Sequence, residues 1–558
     1  MPDTPIETVT RAQQAGTERQ ASAWQGASNR AYPETCLPAA QTDWILNAWL
    51  GRLTGRVSPA AVSNAYVDWL SHVPLAQSKQ LALLQQAYAS LQRWQHLAIT
   101  QSSAPGAEGP DCIAPLAQDK RFADPAWRHW PFHLLSRGFL LNQQWWHRAS
   151  TGVRGVSQHH EDVATFTMRQ WLDILAPSNF PWTNPVVLDA SLASCGANLV
   201  RGLGFAAADC RASATPHAPR PSRFKAGESL ALTPGKVVLR YLVDQGHTVF
   251  MISWKNPLAA GRDLSIEDYR QLGVMDALTA ITSSTGAAQA AAAGYCFGGS
   301  LLAIAAARVA RDGDHRLASV TLLASQVDFK EPGELSLFID ESQVSFLEAA
   351  MWYQVYLDTR QMPGAFQLLR SNDLIWSRRL HHYLLGLAEQ DTDLQAWNAD
   401  TTRIPYRTHS AYLRQLFLHN DQAEGRYIRG GRPIVLSDIA VPLFAVGTLS
   451  DHVAPWRSAF KLHMLADADV TFLLTSGGHN AGVVAPPGLP ARSYQVAEHA
   501  RDTTYLDRTS WQQMAPRREG SWWPAWEAWL AERGGRWIAP PAMGAPLGEA
   551  PGRYVMVT

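Results

Sequence analysis

Residues 290–310 read AAAAGYCFGGSLLAIAAARVA, and this stretch decides the fold. A short run of small residues gives way to Gly294-Tyr295-Cys296-Phe297-Gly298-Gly299 and then to a helix-forming LLAIAAARVA. Alanine favours helix, so propensity alone assigns 290–293 to a helix; the motif that follows reassigns them to a strand. The hexapeptide has the G-x-nucleophile-x-G form of a strand–turn–helix elbow, with Cys296 at the nucleophile position. Gly294 and Gly298 flank it because so tight a turn leaves no room for side chains. The thiol would stand at a helix N-terminus, where the dipole favours thiolate. The Phe297 N–H would face the site as one oxyanion donor. The bland alternative, a buried inert cysteine where helix meets strand, stays open on the hexapeptide alone.

Moving outward, 317–323, 441–446 and 470–474 are short apolar runs suited to buried parallel strands. The run 247–254 (HTVFMISW) is apolar and β-rich, ends in Lys255-Asn256-Pro257, and is expected to be a further strand. Residues 265–282 carry Ile266, Tyr269, Leu272, Leu278 and Ile281 within helical reach of one another. Strands alternating with helices predict an α/β sheet. A triad then needs a base and an orienting acid at strand ends. Asp451 follows one predicted strand and His479 the next, giving the order Cys296, Asp451, His479, which is the nucleophile–acid–base order of the α/β-hydrolase arrangement. His452 is the rival base, but it adjoins Asp451 and is expected to support that loop.

The rest of the chain supplies the organisation. Residues 1–200 are expected to be mainly helical, with the polar first 35 mobile. Ile45, Ala48, Trp49 and Leu53 share one helical face, and further helices are expected near 59–70 and 80–97. A Pro- and Arg-rich stretch at 211–223 marks a boundary. The catalytic core is expected in two parts, 201–327 and 433–537, around a helical, aromatic cap insertion at 328–432; residues 538–558 form an extended tail. The predicted architecture is an α/β-hydrolase-type core sheet with an inserted cap and a helical N-terminal region.

Composition bounds the function. The 558 residues carry 48 Lys+Arg against 48 Asp+Glu, which argues against a general electrostatic grip on nucleic acid. Five cysteines with no CxxC pair point to a reducing, cytoplasmic compartment and to no metal site. No window offers a membrane span and no apolar signal core begins the chain. The 22 Trp residues can pack a core or line an apolar surface.

Several stretches carry a family resemblance: YLVDQGHTVFMISWKNP, GYCFGGS, FIDESQVSFLEAAMWYQVYLDTRQMPGAFQLLRSNDLIW, WNADTTRIP, VGTLSDHVAPW, SGGHNAGVV and GSWWPAWEAWL, with RFADPAWRHWPF near residue 121. The chain resembles the poly(3-hydroxyalkanoate) synthases, which polymerise (R)-3-hydroxyacyl-CoA into bacterial storage polyester. The resemblance runs over nearly the whole chain and implies Cys296 as nucleophile, Asp451 as acid and His479 as base. It also implies CoA release, no metal or bound cofactor, a homodimer, and contact with the polyester chain or granule surface. A thiol independently suits exchange with an acyl-CoA thioester. A cysteine-triad hydrolase of the dienelactone-hydrolase kind shares the elbow, but not the length, the N-terminal helices or DHVAPW.

The pattern breaks in one place. The family sets a few dozen residues between a stretch like Leu232-Thr233-Pro234-Gly235-Lys236 and one like Tyr241-Leu242-Val243-Asp244; here only Val237-Val238-Leu239-Arg240 intervenes. The missing piece contains the strand beside the nucleophile strand, and a loop that supplies the second oxyanion N–H. Its loss implies impaired or absent polymerase activity, or a granule-associated paralogue without catalysis.

Overall fold

The computed structural model describes residues 39–103, 111–116, 119–214, 238–356, 368–369, 371–388, 403–542 and 548. The expectations for the first 35 residues, for 215–223, for 232–236 and for most of the tail lie outside them.

The strands are β1 (Ala290–Tyr295), β2 (Leu317–Leu323), β3 (Ile428–Arg429), β4 (Arg432–Pro433), β5 (Leu443–Thr448), β6 (Val470–Thr475), β7 (Ser493–His499) and β8 (Arg517–Glu519). The main sheet has the order β1-β2-β5-β6-β7-β8, and β3 pairs with β4 in a separate hairpin. From β1 to β6 the pairing is parallel; β7 and β8 add on antiparallel. The apolar runs of β5 and β6 are buried at every position, as parallel strands covered on both faces require. Tyr295 pairs with Leu323, Leu323 with Val446 and Val446 with Leu473, so the C-terminal ends of these strands share one border of the sheet.

β1 ends the sheet. The Ala290 and Cys296 N–H groups donate toward β2, to Arg316 and Leu323 carbonyls. Strand alternation therefore turns the backbone groups of Ala291, Ala293 and Tyr295 outward. Among the described residues no strand pairs with them, and the Ala291 and Ala293 side chains are exposed.

The expected strand at 247–254 does not form. It runs as irregular chain, with Phe250 47% and Met251 39% exposed. A strand exists only through a ladder partner, and among the described residues none stands beside this run or on the outer side of β1. Trp254 instead closes over Gly273, where a Cβ would stand 2.0 Å from the indole, and packs on Tyr269 with ring centroids 5.1 Å apart. The helix expected over 265–282 forms and continues to Thr285, with a wide π-type turn at Arg270–Met275 between Ile266–Tyr269 and Asp276–Thr285.

Helices Ala39–Leu53, Pro59–His72, Gln77–Ser103, Phe132–Ser150, Gln158–Ile174, Pro185–Ala193 and Ala197–Ala214 precede the sheet. In the first of them Ala48 is buried, whereas Ile45, Trp49 and Leu53 of the expected apolar face are exposed, because the helix packs on the cap helix Glu341–Gln354 through Trp44 and Trp352. The buried Gln343 amide joins the two regions, donating to the Arg56 carbonyl and accepting from the Ser58 N–H, each at 2.8 Å. No single helix among the described residues is long and apolar enough to cross a membrane. Near the C-terminus, helix Trp523–Arg533 covers the sheet, with Trp522, Trp523, Trp526 and Trp529 buried together.

Candidate active site

Cys296 joins β1 to the helix Phe297–Arg311 with φ 53° and ψ −125°, a conformation that non-glycine residues avoid unless the fold enforces it. The enforcement is visible. The Cys296 N–H is held by Leu323 at 2.9 Å, and its carbonyl accepts from Gly299 and Ser300 at 3.0 and 3.2 Å. A Cβ on Gly294 would stand 2.6 Å from the Gly298 carbonyl oxygen, and one on Gly299 would stand 1.9 Å from Ser325 Oγ. One on Gly298 would meet nothing within 4 Å. The crowding expected at Gly298 therefore falls on Gly299, because the residue that faces β2's following loop is one position further along the helix. Phe297 opens the helix, so its N–H lacks an intrahelical acceptor by position.

Asp451 lies in the loop after β5 with its side chain wholly buried. Oδ1 accepts from the Val453 and Ala454 N–H groups at 2.9 and 2.8 Å. Oδ2 accepts from Thr448 Oγ1 at 3.3 Å and lies 2.8 Å from His479 Nδ1. With Nδ1 committed to Asp451, Nε2 is the ring atom left to face Cys296, the neighbour whose sulfur acts on the His479 pKa. Burial pushes the His479 pKa down, but the Cys296 sulfur and the Asp451 carboxylate outweigh it and raise it to about 10. His452 does not take this place; its backbone carbonyl packs against Gly333.

The short helix His479–Val483 is pinned from below. Trp522 Nε1–H donates to the Gly482 carbonyl and Trp523 Nε1–H to the Val483 carbonyl, both at 3.0 Å. Gly482 is required there, since a Cβ would fall 2.7 Å from Thr448 Cγ2. On the other side, Tyr295 donates its hydroxyl to Asn480 Oδ1 and lays its ring beside His479, centroids 5.2 Å apart. From the cap, the half-buried Tyr412 packs edge-on against Phe297, ring centroids 4.6 Å apart. Sequence reading singles out none of Trp522, Trp523, Gly482, Tyr295, Asn480 and Tyr412. Tyr295 and Asn480 lie inside the two motifs, one place from Cys296 and His479, and that adjacency was the available signal.

The structure thus brings Cys296, His479 and Asp451 together as a thiol–imidazole–carboxylate relay. Such a relay can generate a thiolate and return the proton to a leaving group. Phe297 offers one oxyanion N–H; beyond β1, among the described residues, no strand stands to offer a second. Among the described residues no group of three or more His, Cys, Asp or Glu is placed to hold a metal ion.

Comparison with known proteins gives three family matches. Residues 118–245 match the poly-beta-hydroxybutyrate polymerase (PhaC) N-terminus, residues 37–78 match the poly-beta-hydroxybutyrate polymerase N terminal model, and residues 227–481 match the alpha/beta hydrolase fold. Among curated relatives, the poly(3-hydroxyalkanoate) polymerase of Methylorubrum extorquens is 35% identical over 540 residues, covering 87% of this chain and 88% of that one. The polymerase subunit PhaC of Rhizobium meliloti is 35% identical, with 79% and 80% covered. That of Cupriavidus necator is 30% identical over 576 residues, with 93% and 95% covered. An alignment of 576 positions exceeds the 558 residues of this chain, so it opens gaps in it.

Proposed function

The chain belongs to the poly(3-hydroxyalkanoate) polymerase family, and from that premise we propose that it is an acyltransferase that takes (R)-3-hydroxyacyl groups from CoA through Cys296. The observation that carries the proposal is His479 held between Asp451 and Cys296. His479 Nε2 takes the Cys296 proton and the thiolate adds to the thioester carbonyl. The oxyanion is received by the Phe297 N–H. Collapse breaks the carbon–sulfur bond to CoA, His479 returns the proton to the departing thiolate, and an acyl-Cys296 thioester remains. The 3-hydroxyl of an incoming unit then loses its proton to His479 and attacks that thioester, forming the ester bond and freeing Cys296. Asp451 orients His479 and stabilises its cation. Protein and product meet at the polyester granule.

The open edge of β1 supports slow turnover, since a missing oxyanion donor costs about 10²–10³ in rate. Free CoA and insoluble polymer are measured with (R)-3-hydroxybutyryl-CoA, using Cys296→Ala and the Cupriavidus polymerase as references. CoA release that is Cys296-dependent and well below the reference supports the reading. Turnover equal to the reference overturns the impairment, and soluble hydroxy acid as product overturns the polymerase in favour of a hydrolase. Absence of CoA release would leave the granule-associated, non-catalytic paralogue as the surviving reading.

A further inference from the structure

The nucleophile and the base sit on loops whose strands are not neighbours: β2 and β5 lie between β1 and β6. Among the described residues the nucleophile strand is held from one side only, because no strand pairs with the outer side of β1. The approach of Cys296 to His479 therefore depends on whatever ties the two loops together directly. A side-chain hydrogen bond does so. Tyr295, immediately before Cys296, donates its hydroxyl to Asn480, immediately after His479. The same Tyr295 ring lies beside the His479 ring at 5.2 Å with 38° between their planes.

Core stability does not account for this pair. Two apolar residues of similar shape would fill the space without a phenol and an amide that must find each other. The Tyr295 hydroxyl is surrounded by charge-bearing neighbours: burial, Cys296 and Asp451 all hold the phenol well above its ordinary range. It stays protonated and remains a donor. Resting on the Cys296–His479 reading above, we infer that Tyr295 and Asn480 are a positioning pair that sets the distance and tilt of the His479 ring over Cys296. The pair replaces part of the restraint that an outer neighbour strand would give to β1.

The test uses the full chain and reads the thiol without acyl chemistry. Iodoacetamide alkylation of Cys296 is followed by peptide mapping, and the His479 ring is titrated by NMR. The variants are Tyr295→Phe, Asn480→Ala and the double variant. Each single change lowers Cys296 alkylation about five- to tenfold, the worth of one hydrogen bond. The double variant falls no further than the worse single one, because both remove the same bond. The groups facing His479 are Cys296 from the elbow, Asp451 from the acid loop and Tyr295 from β1. Loosening the Cys296 contact therefore lowers the His479 midpoint from about 10 toward its ordinary 6.5. A merely structural pair would shift the melting temperature and leave that midpoint in place, which overturns the inference, as do single effects that multiply in the double variant. If Tyr295→Phe does not fold, Asn480→Ala with the same titration decides. Wild-type Cys296 reacting no faster than the exposed Cys195 and Cys210 overturns the reading on which the pair rests.

Discussion

Gly299→Ala is the sharpest perturbation of the elbow, with Gly298→Ala as its control one residue away. At Gly299 the new Cβ would lie 1.9 Å from Ser325 Oγ, 2.6 Å from Ser325 Cβ and 2.9 Å from the Gly294 carbonyl oxygen. Ser325 is buried and its hydroxyl donates to the Leu323 carbonyl at 2.9 Å, so rotating it aside breaks that bond. The Cβ–Cβ clash and the backbone contact survive any rotation. Overpacking of this kind costs about 1–3 kcal/mol, and the displaced hydroxyl adds about 1 kcal/mol. The expected loss is thus about 2–4 kcal/mol for Gly299→Ala. At Gly298 the Cβ enters open space on a helical residue, and replacing glycine there gains up to about 1 kcal/mol. Urea unfolding midpoints of the two variants measure the difference directly. Adding Ser325→Ala to Gly299→Ala recovers only the hydroxyl's share. Equal stability of Gly298→Ala and Gly299→Ala would refute the packing of the elbow helix against the loop after β2.

Further expectations concern residues away from the elbow. Trp526→Phe removes the indole N–H that donates to Thr321 Oγ1 at 3.0 Å across the sheet, and should cost about 1–3 kcal/mol in the same unfolding assay. Arg121→Met strands Asp173, whose wholly buried carboxylate lies 2.6 Å from Arg121 while Arg169 stands off at 3.7 Å; about 3–5 kcal/mol is lost at neutral pH. Burial already holds the Asp173 carboxyl above its ordinary value, so the folded state takes up a proton that the unfolded chain releases. The penalty of Arg121→Met should therefore shrink as pH falls from 7 toward 4, read as the gap in unfolding midpoint between variant and parent.

The parts legible in the sequence are those whose physics is local. β2, β5 and β6 are continuous apolar runs, and such runs are buried wherever the sheet puts them. β1 is a run of alanines and was readable only from the glycines and cysteine after it. The 247–254 run misleads for the opposite reason: it has strand composition and, among the described residues, no ladder partner. β7 was missed because, as the antiparallel continuation of the sheet, it is half exposed and mixes Gln, Glu and His with Val and Tyr. In the site, strand-end position singled out Cys296, Asp451 and His479. The partners that hold them are distant in sequence: Tyr295 and Asn480 are 185 residues apart, Trp522 and Gly482 are 40. No spacing rule connects such pairs before the sheet order is known.

The open edge of β1 also separates two kinds of chemistry at one sulfur. Asp451 is fixed by its own loop and by Thr448, and the helix carrying His479 is fixed by Trp522 and Trp523; none of these restraints uses the outer side of β1. Thiol activation should therefore be nearly intact. Acyl transfer additionally needs donors for an oxyanion, for which the elbow's candidate is the Phe297 N–H. Alkylation by iodoacetamide displaces iodide at saturated carbon and forms no oxyanion, whereas attack on a thioester does. The ratio of the two rate constants at Cys296, taken against the same ratio for the Cupriavidus polymerase, isolates the oxyanion contribution and cancels differences in thiol reactivity. A deficit of about 10²–10³ in the thioester arm alone is the expected result. Equal ratios would mean that another group supplies the second donor, and a deficit of the same size in both arms would place the defect in the Cys296–His479 contact instead of the sheet edge.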